Sequence, residues 1–291
     1  MRNLLFVLTL IAMPSWATSS NIQVSIKPLQ LIISSLSEGE IEVDYLVSPN
    51  VSPHDYALRP SDVRALRSAE LVFWVGDELE PFLNKPLSQT TATQLALLDI
   101  PGLDLIDGDK GHDHDHDHHH DVDPHVWLGP NEAKLIANAM TEQLIKLMPE
   151  NKAKLEQQLV AFKQRLEQTV SEISQQLKPV QTKGYFVFHD GYSYFEREFG
   201  LNRLGEFTIN PQRRPGAKSL LHIRQQLEQG KAKCIFAEPQ FDGALLDSIS
   251  QHSGAKISML DPLGINISND KNGYFELLHE LADSYYECLS H

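Results

Sequence analysis

The chain has 291 residues, 41% hydrophobic and 22% charged, the composition of an ordinary globular protein with length enough for two domains of about 120 residues each. Its formal charge of -14, which becomes -15 if Arg2 is lost with the leader described next, disfavours nucleic acid and anionic membranes and suits a cation ligand.

In chain order, residues 1–17 read as a cleavable signal peptide: Arg2 supplies the charge, residues 4–13 the short apolar core, and Ser15-Trp16-Ala17 a small-x-small cleavage site. The apolar run is short for a bilayer span, and no Cys near the cleavage site offers a lipid attachment point. The mature chain, from about Thr18, is expected to be soluble in the periplasm. There the two lone cysteines, Cys234 and Cys288, most simply form one disulfide.

From residue 22 short apolar runs alternate with helical patterns: a strand at 22–26, a helix after Pro28, a strand at 42–47, a helix at 61–69 with Ser61 as N-cap, and a strand at 71–75. From Asn131 the pattern is sustained helix, with Leu135, Ile136, Ala139, Leu144 and Leu147 as its apolar stripe, until Met148-Pro149 interrupts it. A second helix runs from about 150 to 177, apolar at Leu155, Leu159, Phe162, Leu166, Val170, Ile173 and Leu177. At ~1.5 Å per residue it is roughly 40 Å long, enough to cross between two lobes. A coiled-coil dimerisation segment is the alternative, and fits less well because the stripe is short and flanked by α/β patterns. Beyond Pro179 the rhythm resumes: strand 185–188, helix 192–199, strand 204–208, helix 217–227, strand 234–237, helix 243–251, strand 256–260 and a closing helix 274–289. The expected fold class is α/β: two lobes, each a parallel sheet flanked by helices, joined by one long rigid helix. The expected division is 18–148 with a His-rich loop at 109–123, a linking helix at 149–178, and 179–291.

That loop carries His112, His114, His116, His118, His119 and His120 interleaved with aspartates. A strand of this pattern has no apolar face to bury, so the tract reads as a mobile loop that collects metal. An artificial tag would sit at a terminus, and a merely solvated loop is the bland alternative. Cations that accept nitrogen and oxygen ligands fit such donors, zinc first and copper and nickel after it.

Three apolar runs of the second half end on metal-competent side chains: Phe-Val-Phe on His189, Ile-Phe-Ala on Glu238, Ser-Met-Leu on Asp261. In open parallel sheets ligands bind outside the carboxyl ends of strands, so these residues converge on one edge. In the first half His54 lies in the loop after the strand ending at Val47, and His125 follows Asp123-Pro124. Two histidines from one lobe and one from the other make a three-imidazole site. Glu238 is expected behind a ligand, and Asp261 is a possible fourth ligand. His222, His252, His279 and His291 are read as surface or structural.

Taken together, His54-Asp55-Tyr56 with Leu58-Arg59-Pro60-Ser61-Asp62, the His-rich loop ahead of Pro124-His125-Val126-Trp127-Leu128, Phe188-His189-Asp190-Gly191-Tyr192, Phe236-Ala237-Glu238-Pro239-Gln240-Phe241 and Leu260-Asp261-Pro262-Leu263-Gly264 resemble the zinc-specific solute-binding proteins of ABC transporters, the ZnuA type. The resemblance spans the mature chain. It implies a monomeric periplasmic receptor, not an enzyme, that binds Zn2+ between two lobes and delivers it to a membrane permease. On it, His54, His125 and His189 fall on the three histidine ligands, Asp261 on an aspartate that ligates in many relatives, and Cys234 with Cys288 on a disulfide pair. Manganese-binding relatives carry Glu at the position of His189, whose imidazole favours zinc. Where some zinc members have Glu before the first ligand, this chain has Pro53, so the fourth position falls to Asp261 or water. Two readings from other classes stand beside it. A zinc hydrolase would use the same three-His layout with Glu238 as base, although no His-Glu-x-x-His segment is present. A zinc store or chaperone would bind mainly through the tract.

Overall fold

A computed structural model of the chain describes residues 21–108, 122–208, 216–241 and 254–291. The signal peptide, the histidines from His112 to His120, His252 and the helix expected at 243–251 lie outside the described residues.

The first sheet comprises β1 (Ile22–Ile26), β2 (Asp44–Val47), β3 (Leu71–Trp74) and β4 (Thr93–Ala96), all parallel in the order β2-β1-β3-β4. Helices α1 (Lys27–Ser37), α2 (Pro60–Ser68) and the single turn α3 (Asn84–Leu87) lie between the strands. Next come α4 (Pro130–Leu147) and α5 (Lys152–Leu177), and then a second parallel sheet with the same order: β5 (Gly184–His189), β6 (Asn202–Thr208), β7 (Ala232–Ala237) and β8 (Lys256–Met259), arranged β6-β5-β7-β8. Helices α6 (Ser193–Phe199) and α7 (Ala217–Glu228) connect them, and α8 (Gly273–Leu289) closes the chain. Each sheet therefore changes direction between its first and third strands, the place where open α/β sheets receive ligands. β1 and β5 are buried along their whole length, as expected of strands covered on both faces.

Helix α5 lies against α1, α4 and α8. Its buried face is Leu155, Phe162, Leu166, Thr169, Ile173 and Leu177, with Leu159 and Val170 at the margins. The stripe is spent on the protein's own core, so nothing of it is left for a coiled coil. One apolar core runs from Ile22 through Phe162 and Ile173 to Leu289, continuous across both lobes.

Several local expectations change. The N-cap of α2 is Arg59, not Ser61, because Pro60 occupies the first turn and the Asp62 carboxylate reaches back to accept the Arg59 amide at 2.7 Å. In α4 the buried face is Ala133, Ile136, Ala137, Met140 and Leu144, whereas Leu135, Ala139 and Leu147 are half-buried. Strand β4 had no sequence signal. It sits at a sheet edge, and Thr-Gln-Leu-Ala offers no continuous apolar run.

Cys234 of β7 and Cys288 of α8 are bonded across a sequence separation of 54 residues. Closing a loop of that length corresponds to roughly 4 kcal/mol by the chain-entropy model. The Cys234→Ala/Cys288→Ala variant is expected to lose about that much stability in urea unfolding. A midpoint equal to the wild type would show that α8 is held by its apolar contacts alone.

Candidate metal centre

Three imidazoles from three separate segments meet at the cleft between the sheets. His54 sits in a 3-10 turn, Pro53–Asp55, beyond β2, with its amide donating to Ser52 Oγ at 3.3 Å. His125 precedes the turn Val126–Leu128, and His189 is the last residue of β5. One ligand-capable nitrogen from each of the three lies within 4.8 Å of the other two. His54 Nε2 and His125 Nε2 are 3.4 Å apart. With Zn–N bonds of about 2.05 Å, the edge of a tetrahedral zinc site is about 3.4 Å. That edge is already at the spacing an ion requires.

Behind two of the imidazoles stand buried carboxylates. Asp123 Oδ1 lies 2.7 Å from His125 Nδ1 and accepts the His125 amide at 2.9 Å, while Glu238 Oε1 lies 2.7 Å from His189 Nδ1. An ionised carboxylate only accepts, so the ring proton sits on Nδ1 and the Nε2 lone pair faces the cleft. His189 Nε2 is buried and has no hydrogen-bond partner among the described residues. Burial, with the neighbouring His189 and His125 adding to it, holds His54 well below the ordinary imidazole range and keeps its lone pair free. Burial also pulls on His189, but the Glu238 carboxylate, helped by Asp190 and Asp123, outweighs it and raises that ring. Burial pushes Asp123 up, and its contacts with His125 more than reverse this, leaving it lowered.

His125 belongs to the first half of the sequence but is fastened to the second lobe. Tyr194 OH donates to the Asp123 carbonyl at 2.9 Å, Trp127 Nε1 to the Pro262 carbonyl at 2.9 Å, and Tyr274 OH to the Trp127 carbonyl at 2.7 Å. His54 is carried by the loop that follows β2 in the first sheet.

Asp261 is not in this group. Its Oδ1 accepts from the Leu263 amide and Gln240 Nε2, each at 3.1 Å, and its Oδ2 accepts from the Ile265 amide, so the carboxylate holds its own loop. His279 pairs with Glu172 at 3.2 Å, and His222 and His291 are exposed. Sequence reasoning passed over Asp123, although its place two residues ahead of His125 across a proline was the available signal. It also passed over Gly191, where a Cβ would lie 2.5 Å from His189 Cε1. Nothing in the sequence marks that approach.

The family model for the zinc-uptake complex component A periplasmic, ZnuA, matches residues 22–288. The chain belongs to the ZnuA family. It is 44% identical to a high-affinity zinc uptake system protein ZnuA of Yersinia pestis, over 96% of this chain and 94% of that one. It is also 44% identical to one of Haemophilus ducreyi, over 98% of each. A solved structure described as a 138–173 ZnuA deletion mutant with zinc bound superposes with a TM-score of 0.80 at 25% identity, covering 93% of this chain and 98% of that one. These relatives are uptake proteins rather than enzymes, so neither the hydrolase nor the store reading is favoured.

Because a methyl group at position 191 would press on the His189 ring, Gly191→Ala should weaken zinc by about 10- to 100-fold, the range typical of lost ligand support. The metal-free fold should be unaltered. Wild-type affinity in a competition titration would mean that the ring position is not set by Gly191.

Proposed function

We propose that the protein is a periplasmic receptor that holds one Zn2+ on His54, His125 and His189 and delivers it to the permease of an ABC transporter. The observation that carries the ligand assignment is the 3.4 Å approach of two Nε2 atoms beside a third, buried Nε2 that has no hydrogen-bond partner among the described residues. Three neutral nitrogens suit a borderline cation, and carboxylates behind two of them offset its charge. Pro53 has no ligating side chain and the Asp261 oxygens already accept from the Leu263 and Ile265 amides and from Gln240, so we assign the fourth position to water. Glu238 and Asp123 act by orienting His189 and His125.

On this reading residues 1–17 direct export, and the mature chain works as a monomer divided at 18–148, 149–178 and 179–291. The His-rich loop, with His112, His114, His116, His118, His119 and His120, gathers zinc ahead of the cleft. The chain's acidic balance favours cation capture.

Tag-free protein titrated with zinc in a calorimeter should show one tight ion and a few weak ones. Deleting residues 112–120 should remove only the weak ions, whereas His189→Ala should abolish the tight one together with most of the zinc-induced rise in melting temperature. At a thousandfold excess over Kd that rise reflects about 4 kcal/mol. Loss of the tight ion on deleting the tract would overturn the cleft assignment.

Cobalt substitution tests the fourth ligand. The visible band of the cobalt protein should be the same in Asp261→Asn as in the wild type. A changed band intensity would place the Asp261 carboxylate on the metal.

A further inference from the structure

Gln240 lies three residues beyond β7 and lines the cleft with His54, His125 and His189. Its Nε2 donates to the Pro49 carbonyl at 2.9 Å and to Asp261 Oδ1 at 3.1 Å. Both partners are acceptors, so chemistry fixes the amide orientation, with the NH2 group toward them and Oε1 turned away. Oε1 is buried, and no donor reaches it among the described residues. An acceptor left in that condition is costly unless something supplies a proton to it. Among the described residues that line this cleft, His189 Nε2 is the other buried side-chain atom without a partner.

We propose that Gln240 Oε1 accepts a hydrogen bond from the water on the bound zinc, and that Gln240 thereby couples the ion to the seating of the His54 loop on the second lobe. The inference rests on the three-imidazole reading above. A water on Zn2+ donates more strongly than bulk water, because the cation withdraws electron density from its O–H bonds. Accepting that bond at Oε1 polarises the amide and strengthens both donations from Nε2. One of them goes to Pro49, five residues ahead of His54. His125 and His189 need no such coupling. The first is tied to the second lobe through Trp127 and Tyr194, and the second is part of β5. The same side chain therefore meets the ion's open position and the loop of its least anchored ligand.

Gln240→Met and Gln240→Leu keep most of the bulk and remove both polar ends, and either serves if the other fails to fold. With the metal-free melting temperature as the folding control, zinc release to a chelator should be about tenfold faster or more. The visible band of the cobalt protein should shift, since its water has lost an acceptor. His189→Ala is measured alongside. If His189→Ala loses zinc while the Gln240 variants keep wild-type release and an unshifted cobalt band, the inference about Gln240 is wrong and the ligand assignment stands. If His189→Ala binds zinc as the wild type does, the ligand assignment itself is wrong. Faster release with an unshifted band would overturn the contact between Oε1 and the water.

Discussion

A divalent cation enters a low-dielectric cleft only if its charge is offset nearby and its lost water is replaced by donors already in position. The two buried imidazole–carboxylate pairs, His125 with Asp123 and His189 with Glu238, meet both demands. On the proposed ligand set each carboxylate supplies one negative charge behind a ligating nitrogen, so the two would balance the +2 of the ion. The protein would then reach the ion through nitrogen alone, which favours zinc over harder cations, while compensation comes from one bond further out.

Much of the surrounding structure serves to hold those pairs. β5 and β7 are neighbours at the point where the second sheet changes direction, so His189 and Glu238 leave adjacent strand ends side by side. The Asp123–His125 segment lies outside both sheets. The Asp123 amide donates to the Ile106 carbonyl at 2.8 Å, and Tyr194 of α6, Tyr274 of α8 and the Pro262 carbonyl hold the segment from the side of the second lobe. The proposed ligands thus show a division of two against one: His125 and His189 are held by the second lobe, and the His54 loop meets that lobe through the Gln240–Pro49 bond.

That division was hidden in the sequence, although most of its parts were legible. An apolar run followed by one polar residue is an unmistakable strand end in a parallel sheet, and it located His189 and Glu238. Asp261 carries the same signature, yet its oxygens are used by the amides of Leu263 and Ile265, a difference decided by the conformation of the following loop. The long helix was readable because its stripe repeats over seven positions, and only Thr169 within its buried face broke the apolar rule. Edge strand β4, the Arg59 cap and the close approach of Gly191 to His189 depend on tertiary neighbours, which no local pattern encodes. The attachment of His125 to the second lobe is of the same kind, since Tyr194 lies 71 residues from Asp123 and Trp127 lies 135 from Pro262.

Release of the ion has to work against this order. The core passes without a break from the first lobe through α5 and α8 to the second, so a wide hinge opening would expose a large apolar area at about 25 cal/mol per Å2. On the proposed ligand set a smaller change would be enough. Separating His54 from the His125–His189 pair would remove one of three nitrogens and leave both imidazole–carboxylate pairs intact, at the cost of the Gln240–Pro49 bond and of the packing of Tyr56 and Leu58 against the core. Zinc held by two imidazoles and solvent is far more weakly bound than zinc held by three. On that ligand set, displacing one loop would weaken the site without exposing the apolar core shared by the two lobes.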